Sequence, residues 1–396
     1  MSPRARLLVA LASTGLISYV AVGSLLTRVL GDTSYGQLSI FNEVIRLVLD
    51  AYVEPVNVDR AMAGARLGMT DALDGDSAYL DAEQFALYQK PADGQDADVG
   101  LVLTRRFGFL MVVAARPGSP AAEAGLRTGD LVKSIDGRHA RPVPAVIGQQ
   151  RLRGAPGSSV ALTILRAGTD PFDVSITRER IVPAAPEGRM LDEATGYVRV
   201  SDVDGDTGDA LRTQIDVLKR DGATRMVLDL RDAAWGNPAD GTAVAELFMN
   251  GGLVARRVGR RVEEALLEAD PAGSAWDGPL VVLVGPGTSG PGEIVAAALA
   301  DTAETPLVGE HTFGRAASSS LVPLPEGGLV LTVAKYMSPS GISIHGTGLE
   351  PSVPVAAADP LDGTTDAEAP EAERPDRILE KAIEILSEQT EHKAAA

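Results

Sequence analysis

The chain has 396 residues, 45% of them apolar, and a formal net charge of −18; this is enough length for two or three domains and enough apolar side chain to bury a core. The negative balance argues against nucleic acid as a partner. Without cysteine there is no disulfide, thiolate metal site or lipoprotein attachment, and the four histidines lack metal-ligand spacing, so neither metal nor cofactor is expected.

Arg4 and Arg6 precede an apolar run, Leu7–Leu26, long enough to cross a bilayer as a helix and oriented to send the rest of the chain outward. Residues 1–29 are expected to be a retained inner-membrane anchor or a signal peptide cut near Ala21-Val22-Gly23. The apolar run continues past that cut site, which favours the anchor and a periplasmic or otherwise extracytoplasmic location. Residues 30–90 read as a helical region: Ile40, Val44, Leu47 and Val48 repeat at helical spacing across Leu38–Tyr52, and Ala61–Leu73 repeats the pattern.

A polar linker, Pro91–Asp98, leads into a small domain over 97–180. Its expected strands are Val99–Leu103, Leu110–Ala114, Leu131–Ile135, Val160–Leu165 and Phe172–Ile176, with a helix over Val143–Leu152. Ser119-Pro120 should cap a short helix that Gly125 ends, and Asp136-Gly137 should turn the chain.

Residues 181–356 alternate strand and helix patterns: strand Gly196–Val200, helix Thr207–Arg220, strand Arg225–Leu230, helix Asp240–Met249 and strand Pro279–Val284. That alternation argues for an α/β core. A Gly/Pro/Ser/Thr cluster, Gly285–Gly292, follows the last strand, and Glu293 opens an Ala-rich helix. Strand, glycine-rich turn and helix N-terminus gather backbone N–H groups at one point, as a hydrolase does around a nucleophile and an oxyanion. Residues 357–376 are too polar to pack and read as a linker. The helix over 377–392 carries Ile378, Ala382, Ile383 and Leu386 on one face, which should dock on the core.

Two blocks, GSPAAEAGLRTGDLVKSIDG and RLRGAPGSSVALTILR, resemble a PDZ domain of the circularly permuted type. Leu73-Asp74, Ser77–Leu80, Asp229-Leu230-Arg231, Glu293-Ile294, Gly309–Gly314 and the closing HGTGLEPSVP extend a resemblance to the carboxyl-terminal-processing (tail-specific) serine peptidases over about four-fifths of the chain. The resemblance implies an α/β fold, α+β overall, with a ClpP/crotonase-like peptidase core, an inserted PDZ domain and an N-terminal helical segment that often mediates dimerisation.

It also assigns positions. The family's nucleophilic serine falls on Gly290, its general-base lysine on Arg315 and the glutamine that positions the lysine on Ser319. Glycine has no attacking atom, and arginine stays protonated at ordinary pH. One oxyanion donor falls on Pro291, which has no N–H; the other falls on Trp235, followed by Gly236. The loop that would hold a ligand's terminal carboxylate is Val99-Gly100-Leu101-Val102.

The expected function is that of a catalytically degenerate homologue. It would bind unfolded or C-terminal polypeptide segments through the PDZ domain as adaptor, regulator or inert member of a homo-oligomer or of a mixed oligomer with an active paralogue. Two alternatives stand beside it. A relocated serine endopeptidase would use Ser289, which is followed by a residue with an N–H, and His311, four residues before Arg315, as base. An envelope scaffold would use neither groove. Lys335 is the nearest amine to the closing strand and a further candidate base.

Overall fold

A computed structural model describes residues 36–89, 94, 96–357 and 375–395. Leu7–Leu26 lies outside them, as does most of the linker; among the described residues no helix is long and apolar enough to cross a membrane. Two compact units divide at Arg66. In the first, a helix over 36–51 and the start of the Val58–Asp71 helix turn apolar faces toward each other. Phe41, Val44, Val48, Ala61 and Met62 line a small gap there.

The second unit is built on three large sheets, with a short two-stranded parallel pair beside them. The central one has six strands in the order Val353–Pro354, Leu307–Gly309, Leu280–Val284, Arg225–Asp229, Thr195–Arg199 and Glu187–Met190. All neighbours are parallel except the last pair. Strands buried on both faces must be apolar at consecutive positions, and all five residues of Leu280–Val284 are buried. Met226, Leu228, Val282 and Val284 face the helices Thr207–Arg220 and Pro291–Thr302. Val227, Val281, Leu283 and Val308 face the C-terminal helix, Arg377–Ala395.

That helix docks through Ile378, Ala382 and Leu386, with Leu379 and Ile385 at the margin. Ile383, expected on the same face, is not in this cluster. A buried ion network fixes the helix start. Asp229 is buried and accepts from Tyr197 Oη at 2.7 Å and Arg231 Nη2 at 2.6 Å. Burial alone would raise its pKa, but the Arg231 and Tyr197 hydrogen bonds outweigh burial and hold it below the ordinary carboxylate range. Arg231 also reaches Asp376 at 2.9 Å, and Asp376 accepts from Leu379 N at 3.1 Å in the helix's first turn.

A second sheet is antiparallel: Ala78–Leu80, Gly327–Met337, Gly252–Val258 and Ala265–Ala269 in order, with Ala317–Leu324 also paired to Gly327–Met337. Within 30–90, read as a helical region, Ala78–Leu80 is a strand. The Asp74 carboxylate accepts from the N–H groups of Asp76 and Ser77 and from Ser77 Oγ, a turn that delivers the segment to Gly328–Val330.

The third sheet runs Leu101–Arg106, Phe109–Ala115, Leu131–Ile135, Ser159–Leu165, Phe172–Thr177, and the helix Ala145–Leu152 packs on its first strand. Ser119 caps Pro120–Glu123 by accepting from Ala122 N, and Asp136 and Gly137 both take positive φ, the turn that Asp-Gly favours. Leu80, Ala78 and Val330 lie in the same apolar cluster as Leu101, Leu110 and Ile147, so this domain shares its core with the second sheet. Some expected bounds shift. The first strand starts at Leu101 because Gly100 turns with φ +81. The helix expected over Asp240–Met249 is a 3-10 turn, Pro238–Asp240, and a short helix, Gly241–Glu246.

Candidate active site and peptide groove

The turn after Leu280–Val284 is held from below by Thr288, whose Oγ1 donates to Leu230 O at 2.8 Å and accepts from Gly285 N at 3.0 Å. Ser289 N donates to Ala233 O at 3.0 Å. Gly290 then takes φ +55 and ψ −109 as the cap of the Pro291–Thr302 helix, a conformation free to glycine that would strain a side-chain-bearing residue at a strand-to-helix elbow. A Cβ built on it would have Arg315 O at 3.9 Å and Pro238 Cγ at 4.0 Å as its nearest neighbours. Space for a side chain exists; the side chain does not.

Glu293, one turn into the helix and fully buried, ties two loops together. Its Oε2 accepts from Gly290 N at 3.0 Å and Arg315 N at 2.8 Å. Its Oε1 accepts from Gly314 N at 2.6 Å and Thr312 Oγ1 at 2.5 Å. Burial pushes the carboxyl above its ordinary pKa, against the pull of these donors. The sequence marks Glu293 as a helix opener and as part of the family match; that it joins the elbow to the Gly309–Arg315 loop is visible only in three dimensions.

Arg315 pairs with Asp76: its Nε lies 2.8 Å from Asp76 Oδ2. Thr104 of the small domain also donates to Asp76, at 3.2 Å. Ser319 is exposed on the Ala317–Leu324 strand, opposite Thr332. Pro291 stands at the first helical position with no N–H, and Gly290 N is already taken by Glu293.

Trp235 and Gly236 pair in parallel with Asp202 and Val203. A Cβ at Gly236 would stand 1.6 Å from Val203 O, so only glycine fits. The Arg116 guanidinium lies 5.0 Å from the Trp235 ring and 2.6 Å from Asp202 Oδ1. Burial raises the Asp202 carboxyl, with the Ala184 N–H and Arg116 opposing. Gly100, Leu101, Val102, Arg116, Trp235, Gly236 and Arg315 share one cleft of about 560 Å³.

The remaining candidates do not line this cleft. Ser289 is fully buried and its Oγ has no hydrogen-bond partner. His311 is exposed, its Nδ1 at 2.8 Å from Thr312 O. Lys335 is exposed on its strand, opposite Ala317 and Val258. Val99 is fully buried, and its N–H donates to the Asp98 carboxylate at 2.6 Å.

Gly100 is fixed by crowding as well as by its φ. A Cβ there would stand 2.3 Å from Ser119 Cβ. Gly100→Ala is expected to cost about 3 kcal/mol of stability, read from the urea midpoint. An unchanged midpoint would mean that the loop can yield to the clash.

A mostly parallel sheet covered on both faces, with a strand-turn-helix elbow and a small domain of its own antiparallel sheet, defines a serine-peptidase-type scaffold carrying a PDZ domain. The model of peptidase family S41 matches residues 194–355, and a PDZ-domain model matches 111–166. The carboxy-terminal-processing protease of Bartonella bacilliformis is 31% identical over 331 residues, which cover 82% of this chain and 76% of that protein. The carboxy-terminal processing protease CtpA of Bacillus subtilis is 29% identical, over 82% of this chain and 69% of its own. Among solved structures, the photosystem II D1 C-terminal processing protease superposes with a TM-score of 0.66 at 26% identity, covering 79% of this chain and 86% of that one. The chain belongs to the carboxyl-terminal-processing proteases of peptidase family S41.

Proposed function

We propose that the chain is a degenerate member of this family that holds polypeptide C-termini in its PDZ groove without cutting them. It would act outside the cytoplasm as an adaptor, a regulator or the inert partner of an active paralogue. The observation that carries the reading is Gly290 at the apex of the elbow, at the family's nucleophile position but with no side chain to attack. The ion pair of Arg315 with Asp76 and the missing N–H of Pro291 support it. Ser289 lends no support to relocated chemistry, because its Oγ is buried with no base in hydrogen-bonding reach.

The test pairs two measurements on the purified chain. Fluoresceinated peptides with free carboxylates are expected to bind, while denatured casein incubated for hours stays intact. Casein cleavage that Ser289→Ala abolishes would sink the reading.

A further inference from the structure

Leu101–Arg106 is the edge strand of the PDZ sheet, paired on one side with Phe109–Ala115. A peptide that joins such a sheet as an added strand needs free main-chain groups along the open edge. Here three of those groups are occupied, Leu101 O, Leu103 N and Arg105 N. From the groove helix, Gln149 Nε2 donates to Leu101 O at 2.7 Å, and Gln149 Oε1 accepts from Leu103 N at 3.2 Å. One side-chain amide thus supplies the donor and the acceptor that a peptide unit of an added strand would supply. The Asp98 carboxylate accepts from Val99 N at 2.6 Å and Gly100 N at 3.2 Å, in the loop where a ligand's terminal carboxylate would sit.

Further along the same edge, Arg105 N donates to Gly75 O at 3.1 Å. Asp71 and Asp76, on either side of Gly75, are tied to Arg105 at 2.7 Å and Thr104 at 3.2 Å. That end is closed by backbone. The stretch that one side-chain movement can open is Leu101–Leu103.

We propose that Gln149 decides what enters the PDZ groove, as an internal stand-in for ligand main chain that an extended polypeptide with a free C-terminal carboxylate must displace. The proposal rests on the peptide-binding reading above and adds that the resting groove is closed. The ligand's last peptide units take over the hydrogen bonds that the amide gives up. Affinity in the intact chain is therefore reduced by the fraction of time Gln149 spends bound to the strand. Gln149 lies half-buried on the helix, so its removal leaves the apolar core in place.

The test uses the full chain, Gln149→Ala and, should that variant fold poorly, Gln149→Ser. Each is titrated into an equimolar pool of fluoresceinated decapeptides ending in Val, Leu or Ala with free carboxylates. Hydrogen exchange is followed in the peptide-free proteins. Removing the amide is expected to lower Kd about tenfold and to speed exchange at Leu103 by about tenfold, with Phe109–Ala115 unchanged. Unchanged or weaker binding by the variants, where the native chain binds, overturns the gate and leaves peptide binding standing. No binding by any of them, with Leu103 exchange accelerated, overturns the peptide-binding reading and the gate with it.

Discussion

Glu293→Ala is expected to lower the unfolding free energy by about 4 kcal/mol, seen as a fall in the urea midpoint. The carboxylate is the shared acceptor for Gly290 N, Gly314 N, Arg315 N and Thr312 Oγ1. Each buried donor left without an acceptor costs about 1–3 kcal/mol, and donors in one network do not add independently. Glu293→Gln keeps the shape but turns one acceptor into a donor, and is expected to cost about 2 kcal/mol. A loss below about 1 kcal/mol for the alanine variant would show that the two loops hold each other by other means.

The pH dependence follows from the direction of the pKa shift. Because burial raises the folded-state value of Glu293, the folded chain holds that proton more tightly than the unfolded chain. The contribution is full below the unfolded pKa and is lost as pH rises through the raised value. Stability of the native chain relative to Glu293→Gln should therefore fall with rising pH across that window. The opposite slope would mean that the four donors outweigh burial.

Gly290→Ser alone is expected to leave the chain unlabelled by a fluorophosphonate probe and peptide turnover at background. Sterics are not the obstacle, since the nearest atoms to a Cβ are 3.9 Å away. The conformation at φ +55 is one that serine adopts only with strain of about 1–3 kcal/mol. Chemistry is the obstacle. Arg315 is paired with Asp76, a guanidinium is not a general base, and Pro291 offers no N–H to an oxyanion. A missing general base or oxyanion donor each costs about 10²-fold or more. Adding Arg315→Lys and Pro291→Ala to Gly290→Ser is expected to raise labelling at least about 10²-fold over the single variant. Equal labelling of the two would show that neither group is what the site lacks.

The local elements were legible because their causes are local. Apolar runs at Arg225–Asp229 and Leu280–Val284, the Ser119 cap and the Asp136-Gly137 turn each follow from a few neighbouring residues. That Gly290 carries no side chain and Pro291 no N–H was equally legible, since each is a property of the residue itself. The strand Ala78–Leu80 was not, because its partner lies some 250 residues further on. Nor did any pattern in the chain join Arg315 to Asp76, Arg116 to Trp235 or Gln149 to Leu101 and Leu103. Such contacts depend on long side chains choosing among several rotamers after the sheets have docked. The sequence by itself determined which chemical groups this protein possesses, while only the tertiary structure decided which of them meet.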